Sequence, residues 1–371
     1  MDRVVYFLGA GFSAPLGLPL MSNFMRKAKE LYDSNPSEHE HFEEVFQTID
    51  QLSVSKNYYR TDLFNIEEIL SILEMRELLR GEAKVKKVKR QFIKYISDVI
   101  EHYTPSIRGY EENTLPSNWE GVLFGNIRSD TPYKLRSQAW YGYFVAHLLG
   151  LQFHRPAMNK TPVELEYSRI PEPNVLYWVV TVNYDLILET YANYIKETFS
   201  KQGLGSEPDA KFLTAANIGE GIMSNPFLAK LHGSVDTQTL VPPTWNKAIG
   251  EDVIPQWRFA AQLLANANHV RIVGYSLPTT DIYMKYLLRS AVVDTLRLKS
   301  IDVLCLDQDG SVRERYDEFI DFGRYRFVSG SILDYLETLT ARQVNYGDVY
   351  ASTLAMDKLE NAHEEFFASR A

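Results

Sequence analysis

The chain has 371 residues, enough for one large or two moderate domains around a substantial core. Its 45 % hydrophobic and 23 % charged residues are ordinary for a globular protein, and a formal net charge of −9 argues against a strongly basic nucleic-acid binder. The single cysteine, Cys305, excludes an internal disulfide framework and a cysteine-based zinc site, and no apolar run approaches the roughly 20 residues of a membrane span. The first residues lead into a short strand and a glycine loop rather than a signal peptide, so a soluble cytoplasmic protein is expected.

Residues 4–8 (Val-Val-Tyr-Phe-Leu) form a compact β-rich run ending on Gly9 and predict a buried first strand. The next strong strand pattern is 175–182. Between them the pattern is mostly helical. Leu63, Ile66, Ile69, Leu70 and Leu73 recur at helical spacing, and the run from Val85 to Ile100 does so until Pro105 stops it. Residues 141–151 form a third apolar helical candidate. A helical subdomain over 23–172 is therefore expected, inserted into an α/β core made of 1–22 and 173–343. After Asn183 strand and helix alternate: helix 186–195, strand 227–231, helix 255–266, strand 270–273, helix 282–293, strand 301–306 and a last strand at 326–328. This order predicts an α/β, Rossmann-like, mainly parallel sheet covered by helices. Residues 344–371 read as a polar tail, either a peripheral helix or a partner contact.

Short motifs stand at the ends of these strands, where an open α/β sheet places its ligand chemistry. Gly9-Ala10-Gly11-Phe12-Ser13-Ala14 fits the G-x-G-x-x-G/A turn, whose glycines let a backbone approach a pyrophosphate near a helix N-terminus. The other reading is a tight strand–helix turn with no ligand. A dehydrogenase would add an acid about 20 positions on, at a strand end; Glu30 has that spacing but lies in a helical run, which weakens a hydride-transfer reading. Thr181-Val182-Asn183-Tyr184-Asp185 offers an amide and a carboxylate for ribose hydroxyls, a carboxamide or a water, or else simply caps the next helix. His232, before Gly233, is placed either as a proton acceptor or as a structural loop histidine. Gly274-Tyr275-Ser276 and Leu306-Asp307 complete the set, the first suited to a ribose or phosphate and the second to an adenosine ribose, though each taken singly is an ordinary strand-end turn.

In this order the motifs resemble the sirtuin family, in its bacterial sirtuin-like branch. The match covers roughly residues 4–30 and 175–330, and Pro242 to Lys247 also looks like that branch. The resemblance implies NAD as substrate, with cleavage of the nicotinamide–ribose bond. Gly9, Ala10, Gly11, Phe12, Ser13, Gly274, Ser276 and Asp307 would hold the dinucleotide, Asp185 the carboxamide, Asn183 the ribose or water, and His232 would act as general base. The protein deacetylases of the family carry a four-cysteine zinc module that this chain lacks, and their Gly-Ile-Pro-x-Phe-Arg segment is reduced to Gly17-Leu18-Pro19-Leu20-Met21. No zinc is expected, and acyl-lysine peptide binding is disfavoured. Sirtuin-like proteins of this kind deplete NAD in antiviral defence, which implies a homo-oligomer and a defence partner such as a HerA-type hexameric ATPase or a short Argonaute. Membrane and autonomous nucleic-acid binding are not expected. The rival readings are a protein deacylase, a non-catalytic NAD or ADP-ribose sensor, and DNA processing within a larger assembly.

Overall fold

A computed structural model describes residues 1–80, 83–107, 133–154, 166–169, 175–202, 207–220, 225–237, 240, 253–279, 281–293, 296–341 and 356–370. Six parallel strands make the central sheet: β1 (Asp2–Leu8), β4 (Val175–Thr181), β5 (Leu228–Lys230), β6 (His269–Val273), β7 (Ser300–Cys305) and β8 (Tyr325–Ser329). A separate antiparallel pair, β2 (Leu151–His154) and β3 (Glu166–Arg169), sits outside it. The sheet order is β5-β4-β1-β6-β7-β8. Numbered by strand within this sheet, that is 3-2-1-4-5-6, the Rossmann order, whose direction reverses between β1 and β6.

Strand side chains alternate between two cores, as a period-2 backbone buried on both faces requires. Val4, Tyr6 and Leu8 of β1, with Tyr177, Val179, Leu304 and Val328, point into one hydrophobic cluster. Val5 and Phe7, with Trp178, Val180, Ile272, Val303 and Phe327, point into the other. The second face is covered by α8 (Ile254–Ala265), α9 (Ile282–Ala291) and α10 (Ser311–Asp317).

The first face carries far more. It is covered by α6 (Tyr133–Leu148), α7 (Ile187–Gln202), α11 (Ile332–Ala341) and α12 (Met356–Ala368), following a short α1 (Ala10–Ser13). Helices α2 (Met21–Ser34), α3 (His41–Leu52), α4 (Ile66–Arg80) and α5 (Ala83–Tyr103) extend the same cluster outward. Their apolar side chains, among them Phe24, Phe42, Ile69, Phe92 and Tyr95, are continuous with the sheet core. The segment between β1 and β4 thus shares the hydrophobic core of the sheet. Helix α6 is buried on every side from residue 137 to its end, which is why its sequence is apolar all round rather than amphipathic. It starts earlier than the apolar run suggested, and Leu151 turns out to open a strand.

A row of polar residues crosses the first face in register: Tyr6 on β1, Arg271 on β6, Asp302 on β7 and Arg326 on β8. Helix α12 meets this row. Glu360 accepts from both terminal guanidinium nitrogens of Arg271, at 2.9 and 2.5 Å, and also accepts the Tyr177 hydroxyl at 2.7 Å. His363 Nε2 lies 3.2 Å from Asp302 Oδ2, and Glu364 pairs with Arg326. Residues 356–368 of the polar tail are therefore a helix docked on the sheet.

Candidate active site at the carboxyl edge of the sheet

Strand pairing aligns Leu8 with Thr181 and Val273, Thr181 with Lys230, and Val273 with Leu304, so the motif-bearing turns emerge side by side on one edge. Above them lies a cleft of about 610 Å³, centred where the strand order reverses. Its floor includes Ala10, Gly11, Ser13, Asn183, Asp185, His232, Gly274 and Ser276. Its other wall comes from α2, α4 and α5 through Phe24, Ile66, Glu67, Leu70, Ile96 and Ile100. The helical insertion thus walls the cleft.

The glycines answer first to each other. Gly9 N–H donates to Val273 O at 3.0 Å and Gly11 N–H to Gly274 O at 2.9 Å, locking the β1 and β6 turns together. A Cβ on Gly9 would lie 2.6 Å from Gly274 O, and one on Gly274 would lie 2.2 Å from Phe12 N. Gly274 also has φ +70°, a left-handed conformation that favours glycine. Close packing of two turns accounts for these glycines. The helix that follows is a single turn, with Pro15 opening a 3₁₀ turn behind it.

Asn183 clasps this loop. Its Nδ2 donates to Gly9 O at 3.0 Å and to Ser13 Oγ at 3.3 Å, while its backbone N–H donates to Thr181 Oγ1 at 3.0 Å. Its Oδ1 is buried with no hydrogen-bond partner among the described residues. Asp185 does serve as a helix cap, since Oδ1 accepts Ile187 N–H at 3.1 Å. Burial raises the carboxyl above its ordinary value; the nearby Lys230 ammonium and a Ser13 hydrogen bond oppose that shift.

His232 is buried, with Nδ1 3.1 Å from Val182 O and its ring 5.9 Å from that of Tyr184. A carbonyl oxygen can only accept, so Nδ1 carries the hydrogen. In the neutral ring that leaves Nε2 with the lone pair. Ser276 is held through its carbonyl by Arg315 Nε at 3.1 Å, and the adjacent Leu277 has φ +48°, an uncommon backbone strain beside the cleft.

Two expected binding residues lie elsewhere. Phe12 turns its ring into the core, edge-on to Tyr141 at 5.1 Å, because α1 points this side chain below the loop. Asp307 is not on the cleft lining; its two carboxylate oxygens accept the N–H groups of Val312 and Arg313 at 3.2 and 3.0 Å and cap α10. The segment 242–247 lies outside the described residues. Tyr184, between Asn183 and Asp185 on the same turn, lines the cleft. Burial drives its phenol well above the ordinary value, and the carboxylates of Glu67 and Asp281 add to the shift. Asp281 in turn accepts the Tyr275 hydroxyl at 2.7 Å.

Glu67 had no motif to reveal it, because it reaches the cleft from the insertion. Lys230 did leave a signal: it is a charged residue at the end of an apolar strand run, and it is buried. Among the described residues, the grouping of Asp302, His363 and Glu364 is compact enough to hold a cation, but Arg326 binds both its carboxylates, at 2.6 Å for Asp302 and 2.8 Å for Glu364. That grouping is an ion-pair network under α12. Searches against protein-family models and against curated proteins find no match to this chain.

Proposed function

We propose that the cleft hydrolyses the nicotinamide–ribose bond of NAD+, giving nicotinamide and ADP-ribose. The observation that carries this reading is the convergence of Asn183, Asp185, His232 and Ser13, from separate strand ends, on one cleft at the reversal point of a 3-2-1-4-5-6 sheet. The volume of about 610 Å³ is in the range of cofactor-sized pockets. The buried Asn183 Oδ1 supplies an acceptor for a ribose hydroxyl or a water.

In the reaction the C1′–N1 bond breaks and its electron pair passes to the pyridinium nitrogen, releasing neutral nicotinamide. Positive charge develops on the ribose, as in other glycosidic cleavages. A water oxygen bonds to C1′ and its proton passes to His232 Nε2. The Nδ1–H···O bond to Val182 holds the ring in the tautomer this needs. Asp185 orients the carboxamide, and Tyr184 with the apolar wall limits bulk water around the breaking bond.

The test is NAD consumption with nicotinamide and ADP-ribose quantified for wild type, Asn183→Ala and His232→Ala, alone and in lysate holding the products of neighbouring genes. Equimolar release in wild type, lost in both variants with folding intact, is expected. NAD binding without turnover under every condition would replace the enzyme with a nucleotide sensor.

A further inference from the structure

Lys230 is the last residue of β5, and only 8 % of it is exposed. Its Nζ donates to Asp185 O at 2.5 Å, Ser234 Oγ at 2.9 Å and Glu189 Oε1 at 3.1 Å. Three ammonium hydrogens thus meet acceptors on three elements: the turn after β4, the turn after β5 and helix α7. The first turn carries Asn183 and Asp185, and the second carries His232. A backbone bond from Val235 N to Tyr184 O at 3.2 Å joins the same two turns.

Lys230 does not reach the substrate cleft. It borders a separate internal gap of about 10 Å³, shared with Ser13, Asn183, Asp185 and Glu189, too small for any ligand larger than water. The ionisable groups facing it are Asp185 and Glu189. Burial raises both carboxyls, and the ammonium opposes the rise in each.

We infer that Lys230 is a positioning residue: its ammonium fixes the Asn183–Asp185 turn and the His232 turn at the separation that the cleft chemistry requires. The kinetic arm of this inference rests on the glycohydrolase reading. The bland alternative is that Lys230 only neutralises the buried Glu189 carboxylate. The two differ in what a charge-balanced replacement does.

The experiment compares wild type, Lys230→Met and the double variant Lys230→Met/Glu189→Gln by thermal unfolding, amide hydrogen exchange and NAD turnover. Lys230→Met is expected to lower kcat about 10- to 100-fold, the usual effect of losing a supporting shell, with KM changed less. Amides in both 182–186 and 231–236 should exchange faster together. The double variant removes the orphaned carboxylate and should recover thermal stability while kcat stays low and exchange stays fast; it carries the test if the single variant fails to fold. Recovery of kcat together with stability would overturn the inference, as would unchanged exchange in either turn. If wild type cleaves no NAD, the glycohydrolase reading falls while the exchange result still decides whether Lys230 holds the two turns.

Discussion

Gly274 concentrates several constraints in one residue. Its φ of +70° disfavours any L side chain, and a Cβ would stand 2.2 Å from Phe12 N, a backbone atom that cannot step aside. Gly274→Ala should therefore cost more than the 1–3 kcal/mol usual for a strained backbone residue, about 3 kcal/mol or above, measured as a lower urea midpoint. His232→Ala acts differently: losing a buried, hydrogen-bonded ring should cost about 1–3 kcal/mol in urea denaturation, and on the glycohydrolase reading kcat should fall about 100- to 10,000-fold, the usual cost of losing a general base.

Two other histidines predict a pH dependence. Burial lowers His147 to about 4, and burial beside Arg271 lowers His363 to about 4. Both stay neutral in the fold but take up a proton in the unfolded chain below about pH 6.5. The unfolded state then binds more protons, so stability is fully present above pH 6.5 and is lost as pH falls toward 4. Each histidine contributes a slope of at most about 1.4 kcal/mol per pH unit across that window. Thermal melts between pH 7 and 4 should show the decline, and His147→Leu should make it shallower. A slope unchanged by that substitution would remove His147 as a cause.

Among the elements, α12 is the one whose removal the sheet can least absorb. Arg271 sits mid-strand, 2 % exposed, and its bidentate partner Glu360 comes from that helix alone. Breaking a buried pair by removing one partner strands the other charge, which typically costs about 3–5 kcal/mol. Glu360→Ala should show that loss in urea denaturation, whereas Arg271→Met/Glu360→Leu should recover most of it. Helices α2, α4 and α5 are coupled to the sheet by apolar contact, and they make the cleft a cleft rather than an open sheet edge.

For the molecule as a whole, the six strands of the central sheet and the positions of Asn183, Asp185 and His232 were legible because each lies where an apolar run stops at a small or polar residue, whereas the outlying pair β2 and β3 was not. Local pattern carries that information, since a strand buried on both faces must be apolar until it leaves the sheet. Strand neighbours are non-local, so the 3-2-1-4-5-6 order was not legible in local pattern. Phe12 and Asp307 show where adjacency in sequence misleads. One faces the core because a single helical turn rotates it there, and the other spends its carboxylate on a helix end. Glu67 was illegible for a simpler reason: the cleft phenols it acts on, Tyr184 and Tyr275, are more than a hundred residues away. The polar tail was legible only as a peripheral helix or a partner contact, because the charged groups that Glu360 and His363 meet lie on distant strands of the sheet.

The interlock of the β1 and β6 turns has a consequence for how the chain acquires its fold. Strand β1 is among the first residues, yet both its neighbours, β4 and β6, lie far along the sequence. The long closure that pairs β1 with β6 must be made before Gly11 can meet Gly274, and pairings of this span raise the contact order and slow folding. No partly formed core offers an abbreviated version of the cleft, because its floor is the seam between the earliest strand and one of the latest. The cleft, and with it the chemistry proposed for it, exists only once β1 has joined β6.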